Sequence, residues 1–448
     1  MTNGKPRRRS VFSGVLLILL GALLLWHNLH GGIELWYLFE RWWPVLLILW
    51  GLVKFYEHVA ARRSGETPPR TITGGEVLLV LLVLALAGTA GVKDWSMKHP
   101  EAGFRWPPWA RPYSFNEEVS ASSVPPNAHI SVRTDHGDIT IHPENAAEIR
   151  VLAKKVVAAA EEAEARSRAQ QAGVLVTEAA GSYEVHTTNQ GGEVELDLEV
   201  HVPRQATVTA RSARGGVQAD GLAGSITAAA NHGEVEIRDA GRDVSVELDR
   251  GDAHIVGAQG NVKLSGRGGQ VEISDVKGEA VVQGEYFGPI RIEKVVKGAR
   301  FLSHRTDLTV TQLAGRIDTG SGRLEISDAP GNLSLVTHKY DLAINNIGGR
   351  IHIENHHGNV ELRFAEPPLE DVEVSTESGN IELVLPAKSS FEVHAEARKG
   401  DIDSDFSGVE AKQTNQRGNV RLEGQIGEKG PQIRLRTTYG TIHLRKGG

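Results

Sequence analysis

Eight residues stand immediately before a recurring glycine: His136, Arg214, His232, Arg250, His357, Lys399, Arg417 and Tyr439. Such a spacing stacks them as one column if the glycines mark equivalent corners, with Gly268, Ser321 and Ser378 interrupting it. A basic and aromatic column has the chemistry to hold an anionic glycan or a lipid headgroup. The plainer account is a solvated corner that tolerates long polar side chains. Asp401, Asp403 and Asp405 alternate, so one strand face would carry all three. Clustered carboxylates suit Ca²⁺ or an acid/base pair acting on a polysaccharide, and a solvated acidic face is again the plainer account. His356 and His357 are adjacent, so a strand would point them to opposite sides and give a poor metal site. Asn345 and Asn346 suit a polar ladder at a corner. P-loop, Gly-x-Ser-x-Gly and His-Glu-x-x-His motifs are absent from the sequence.

The elements that position these residues follow from the glycines themselves. The phrases Arg214-Gly215-Gly216-Val217, His232-Gly233-Glu234-Val235, Arg250-Gly251-Asp252-Ala253 and Gly268-Gly269-Gln270-Val271 repeat about every 18 residues. The same phrase returns at Ser321-Gly322, His357-Gly358 and Arg417-Gly418. Weaker glycines at 224, 241, 260, 278, 298, 315, 331 and 349 divide each step in half. Each half holds a short alternating strand, such as Val235/Ile237, Val244/Val246/Leu248 or Leu308/Val310. Period-two alternation with one apolar side is a half-buried strand. Two strands per step predict an all-β fold, a β-solenoid of two-strand coils over 204–446. About a dozen coils, spaced roughly 4.8 Å apart, would span about 55–60 Å. Register is expected to loosen after Phe364, where Pro367-Pro368 intervenes.

Ahead of the solenoid, 127–203 reads as opening strands with one inserted helix, placed at about 156–172 by an Ala- and Glu-rich stretch without Gly or Pro. Residues 96–126, with Trp106-Pro107-Pro108-Trp109, read as an extended tether.

Residues 1–95 read as a membrane domain. All eight tryptophans fall between Trp26 and Trp109. Apolar runs at about 11–29, 42–56 and 76–92 predict three transmembrane helices, the later two short enough to require tilt or thinning. Lys5, Arg7, Arg8 and Arg9 precede the first run, and Lys54 at the end of the second is followed by Arg62, Arg63 and Arg70 before the third. The positive-inside rule then places the N-terminus in the cytoplasm and the C-terminal domain outside it, in a periplasm or at the cell exterior. A cleaved signal peptide is the rival for the first run, but a small-x-small cleavage site is missing and two further runs follow. The chain has 448 residues, a net charge of −7 and no cysteine. Disulfides, thiolate zinc sites and cysteine nucleophiles are thereby excluded, and the acidic balance argues against nucleic acid as partner.

Two resemblances sharpen this reading. Arg9-Ser10-Val11-Phe12-Ser13-Gly14 through Gly21, with Trp43-Pro44-Val45-Leu46 through Gly51, resembles the LiaI/LiaF-like bacterial transmembrane region. That likeness implies a link to cell-envelope stress sensing. Residues 115–445 resemble a bacterial candidate-adhesin repeat family with the phrase Gly-x-[Val/Ile]-x-[Leu/Ile] and a Val-Pro entrance, here Val202-Pro203. The expected function is a membrane-anchored, extracytoplasmic binding or scaffolding module of the bacterial envelope, not an enzyme, needing no cofactor or metal. Expected partners are membrane lipid, an anionic envelope glycan or a membrane sensor protein. The alternatives are an envelope-stress regulator acting through a membrane partner and a solenoid polysaccharide lyase or hydrolase.

Overall fold

The computed structural model describes residues 110–447, apart from 180, 189–193, 321, 410–411 and 414–418. Contacts divide the chain into two compact units, and the second, Pro108–Gly448, holds every described residue. The expected spans at about 11–29, 42–56 and 76–92 lie outside the described residues. Among the described residues, no helix is long and apolar enough to cross a membrane.

The described unit is all-β with a single helix. Strand Val235–Ala240 shows why: Val235 and Ile237 are buried while Glu236 and Arg238 face outward. It pairs in parallel with the strands one step before and after, in the ladder Val217↔Val235↔Ala253↔Val271. The intervening strands do the same in a second sheet, Val208↔Ile226↔Val244↔Val262↔Ala280. Parallel neighbours cannot be joined by a hairpin. Each connection therefore passes through the other sheet, and one coil contributes a strand to both. The inward ladders meet in one continuous core of Val, Ile, Leu and Ala. Burying each Val or Ile side chain is worth about 1.5–3 kcal/mol relative to leaving it exposed.

Alternation breaks once per coil, at a place the glycines do not reveal. Gly221, Asp239, Gly257, Asp275, Lys294, Asp328 and Asn346 close the strands of the first sheet with φ between 50° and 76°. Glycine, Asp and Asn accept this left-handed conformation most readily, and Lys294 is the exception among the seven. The kink turns the next side chain inward, and Leu222, Ala240, Ala258, Val276, Val295, Ala329 and Ile347 are all buried.

The expected uniform run of coils is corrected in the middle of the stack, where one coil runs backwards. Strand Ala299–Leu302 folds through 303–305 onto Thr306–Val310, antiparallel. Strand Leu313–Thr319 then lies antiparallel on Ile290–Val295 and also antiparallel on the next strand, Arg323–Ala329. Parallel steps resume at Leu324↔Leu342 and Leu333↔Ile351. Two hairpins thus replace two corners. Buried hydroxyls absorb the mismatch: Thr319 Oγ1 accepts from the Ile290 N–H at 2.9 Å, and the Thr306 and Thr337 hydroxyls bond at 3.0 Å. After Phe364 the step lengthens, with Val360 opposite Ile381, because the Pro367-Pro368 loop is inserted.

Both ends depart from simple stacking. Residues 111–122 form no tether; they are a twelve-residue strand paired along Glu148–Ala159 without a register break. The helix is shorter than expected, Glu162–Gln171, because Val157 and Ala159 are buried in the preceding strand. Lys155 of that strand donates to the Ala169 and Ala172 carbonyls at 3.0 and 2.5 Å and pairs with Glu117 at 3.0 Å. A cation there suits the negative end of the helix. The chain's first coil strand, His129–Thr134, is inserted between Ser182–Thr188 and Thr207–Ser212. Its last coil does likewise: Gln432–Tyr439 sits between Val372–Ser378 and Phe391–Lys399, and Ile442–Gly447 between Ile381–Pro386 and Ile402–Ser404.

Candidate functional site

The corner that carries the basic column is built from three kinds of residue. Glycine supplies the turn: Gly251 has φ +139°, and a Cβ there would sit 1.9 Å from the Gly233 carbonyl oxygen of the neighbouring coil. A buried polar residue just before the corner satisfies corner carbonyls. Ser212 donates to the Gly137 carbonyl at 2.9 Å, Thr437 to that of Gly379 at 3.1 Å, and Asn355 to that of Tyr340 at 2.9 Å. An Asp or Asn just after the glycine, or after Tyr340 where it takes the glycine's place, accepts the backbone N–H of the next coil. Asp138 accepts from Gly216, Asp252 from Gln270 and Asp341 from Asn359, each at 2.7 Å. The series continues with Asn359 accepting from Asn380 at 3.0 Å and Asn380 from Thr441 at 2.8 Å. Sequence reading missed this ladder. Its signal was present in the dipeptides Gly251-Asp252, Gly358-Asn359 and Gly379-Asn380.

These acids are therefore occupied, while the basic side chains beside them are not paired among the described residues. Arg214, His232 and Arg250 are exposed on successive coils and make no ion pair among the described residues. His136 begins the same row, half-buried, its Nδ1 without a hydrogen-bond partner. The row then fails: Gly268 and Tyr286 take the next two places. Tyr286 is half-buried with an unpartnered hydroxyl, and burial raises its pKa. Phe287 beside it is 90% exposed. Beyond the reversed coil the row resumes as Lys339, His357, Ser378, Tyr439 and Lys399. Lys399 Nζ lies 4.7 Å from the Tyr439 ring centroid and donates to its hydroxyl at 3.1 Å. The column is thus two half-columns, and Lys339, which precedes no glycine, belongs to the second. Arg417 lies outside the described residues.

Neighbouring charges behave differently. On the outward face of the second sheet, Arg267 donates to Asp249 at 2.5 Å. That bond holds the Asp249 carboxyl below its ordinary range, with Arg250 and His232 adding to the effect. Glu285 accepts from both the backbone N–H and the Nδ1 of His304 at 2.7 Å, which lowers its pKa and pins the 303–305 hairpin.

The other candidates are placed plainly. Asp403 and Asp405 both pair with Arg445, at 2.9 and 3.1 Å, and Asp401 accepts from the Ile402 N–H. The acidic trio is a partly neutralised network. Asn346 donates to Asp328 at 3.0 Å and accepts from Ala365 at 3.2 Å, forming the ladder its position suggested. His356 and His357 do not share a partner. His356 instead stacks on His338, with ring centroids 4.7 Å apart. No group of three or more His, Cys, Asp or Glu positioned for a metal occurs among the described residues.

The family models that match the chain divide it as the sequence reading did. Residues 127–445 match the model of the Toastrack DUF4097 family, and residues 12–99 match that of the LiaF transmembrane domain. No curated protein matches the chain. Among solved structures, a candidate cell adhesion protein from Clostridium sporogenes aligns at 7% identity over 75% of this chain and 100% of its own, with a TM-score of 0.19. A candidate adhesin from Parabacteroides distasonis aligns at 9% identity over 74% and 97%, with a TM-score of 0.21. Another from Bacteroides fragilis aligns at 7% identity over 74% and 97%, with a TM-score of 0.17. Likenesses at these scores carry no argument about this chain.

Proposed function

The chain belongs to the Toastrack DUF4097 family, and from that premise we propose that it is a membrane-anchored binding or scaffolding module of the bacterial cell envelope. The anchor is the 12–99 segment that matches the LiaF transmembrane domain. With three spans and a cytoplasmic N-terminus, the stack of coils faces away from the cytoplasm.

The observation that carries the binding role is the row Arg214, His232, Arg250. Its basic side chains are exposed on consecutive coils without ion pairs among the described residues, while adjacent Asp138 and Asp252 are committed to backbone N–H groups. At about 4.8 Å per coil the two guanidiniums lie roughly 10 Å apart. Repeated positive charge at fixed spacing suits a polyanion whose charges also repeat, and the ligand class is an anionic envelope polymer. Charge reversal at Arg214, Arg250 and Arg417 is expected to abolish sedimentation of the full chain with purified cell wall. Unchanged sedimentation would sink the reading.

A second reading, envelope-stress regulation through a membrane sensor protein, is favoured by the LiaF transmembrane match alone. Crosslinking in intact cells followed by mass spectrometry separates the two: regulation predicts a membrane sensor among the captured partners. A lyase or hydrolase is disfavoured, since Arg445 engages both Asp403 and Asp405.

A further inference from the structure

The outward face of the second sheet carries a pair of imidazoles that the envelope-binding role does not use. His338 and His356 are neighbours on adjacent parallel strands, Leu333–Lys339 and Ile351–His357. Their rings stack with centroids 4.7 Å apart and planes 26° apart, and both side chains are exposed. Each ring is held from behind through Nδ1. His338 Nδ1 lies 3.1 Å from the Arg305 carbonyl oxygen, and a carbonyl only accepts, so this nitrogen carries the proton. His356 Nδ1 lies 3.4 Å from the Glu377 carboxylate, another acceptor, and is protonated for the same reason. In the tautomer that donates from Nδ1, each ring offers Nε2 as its lone-pair nitrogen, and neither Nε2 has a partner among the described residues.

We propose that His338 and His356 form a two-imidazole chelate for a borderline divalent transition metal of the Cu²⁺ or Zn²⁺ class. Metal-binding histidines typically donate the second ring nitrogen to a carbonyl or carboxylate, which fixes the tautomer and raises ligand basicity. Here both rings already have that support. Imidazole donors select Cu, Ni and Zn over the oxygen-seeking Ca²⁺ and Mg²⁺. Metal–nitrogen bonds of about 2.0–2.1 Å require the two Nε2 edges to tilt together from the stacked arrangement. Exposed rings on a sheet face have that freedom. Water fills the remaining positions, so the ion stays open to a further ligand.

Other histidines lack the combination. His352 has Nδ1 and Nε2 both facing carboxylates, Glu373 at 3.3 Å and Glu354 at 3.4 Å. His142 and His201 also stack, at 5.1 Å, but only His201 is held, by Glu144 at 2.6 Å.

The test is Cu²⁺ titration of the full chain in detergent micelles, followed by calorimetry and electron paramagnetic resonance. The tightest site is expected to show coupling to two nitrogens. His338→Gln and His356→Gln should each weaken it at least tenfold, and the double variant little further, as loss of a chelate requires. His352→Gln and His201→Gln should leave it unchanged. Circular dichroism of each variant keeps a folding defect apart from a binding defect, and either single variant, if folded, decides the question. Unchanged affinity in a folded His338→Gln or His356→Gln chain overturns the proposal. So does an equal loss in His352→Gln or His201→Gln.

Discussion

Single side chains in this stack do their work across coils, not along the chain. Glu285 is a clear instance: its carboxylate grips both the backbone and the ring of His304, nineteen residues on. The grip lowers its folded pKa, so the stabilisation is complete above the ordinary glutamate range near about 4.3 and fades as pH falls through the folded value. In urea titrations, the wild-type midpoint should drop between about pH 5 and pH 3. Glu285→Gln should start lower at neutral pH and drop less across that window. An identical pH profile in the variant would show that the contact contributes nothing. At this scale the sequence was half legible. The residue before each strong glycine was visible, and Arg214, His232 and Arg250 do form a row. What stayed hidden was which charges are spent. Asp252 and Asp138 look like free acids in the sequence, yet each satisfies a backbone N–H one coil away. Only three-dimensional neighbours distinguish a committed carboxylate from an available one.

At the scale of elements, the glycines announced the corners and the strand count. The left-handed kink that ends each first-sheet strand was not announced, because Asp239, Asp275, Lys294 and Asn346 share no single residue type. The two devices predict opposite outcomes for glycine replacement. At Gly251 a Cβ would strike the neighbouring backbone at 1.9 Å, so Gly251→Ala should cost about 3 kcal/mol or more. At Gly221, with φ +73° and nothing within 4 Å, the position is one that other coils fill with Asp or Asn. Gly221→Asn should change stability by less than about 0.5 kcal/mol, reduced chain entropy offsetting mild strain. Equal losses in chemical denaturation would refute the distinction. The backward coil also escaped the sequence, for a different reason. Leu308, Val310 and Ile317 keep the inward alternation whichever way their strands run. Alternation reports which face is buried and carries no information about direction. The hint lay in a missing glycine, since Ser303-His304-Arg305 stands where a corner was due.

For the whole described unit, the ends decide how the stack holds together. The final coil is flanked on both sides, and residues 391–404 lie beyond it. A short truncation therefore removes an inner layer and leaves an outer one without its parallel support. Ending the chain after Pro431 should expose 387–431 to protease, whereas ending it after Pro386 should leave a clean edge and a resistant core. If the longer deletion were the less stable of the two, the inserted arrangement would be wrong. None of this order was legible, since period and alternation specify a coil but not its neighbours. The opening strand Arg111–Ser122 was missed likewise, because Pro112, Tyr113 and Phe115 read as a tether until Glu148–Ala159 is present to pair with it.

The buried position of the last coil also sets a timetable. A ribosome makes Phe391–Lys399 about thirty residues before Gln432, yet Gln432–Tyr439 is the strand that joins it to the rest of the stack. Until the closing residues appear, the penultimate coil has nowhere permanent to rest. Synthesis of 432–447, more than the gradual growth of the stack, becomes the event that ties the 391–404 strands to it. A chain that stops between 400 and 431 is expected to leave Phe391–Lys399 without its parallel neighbour.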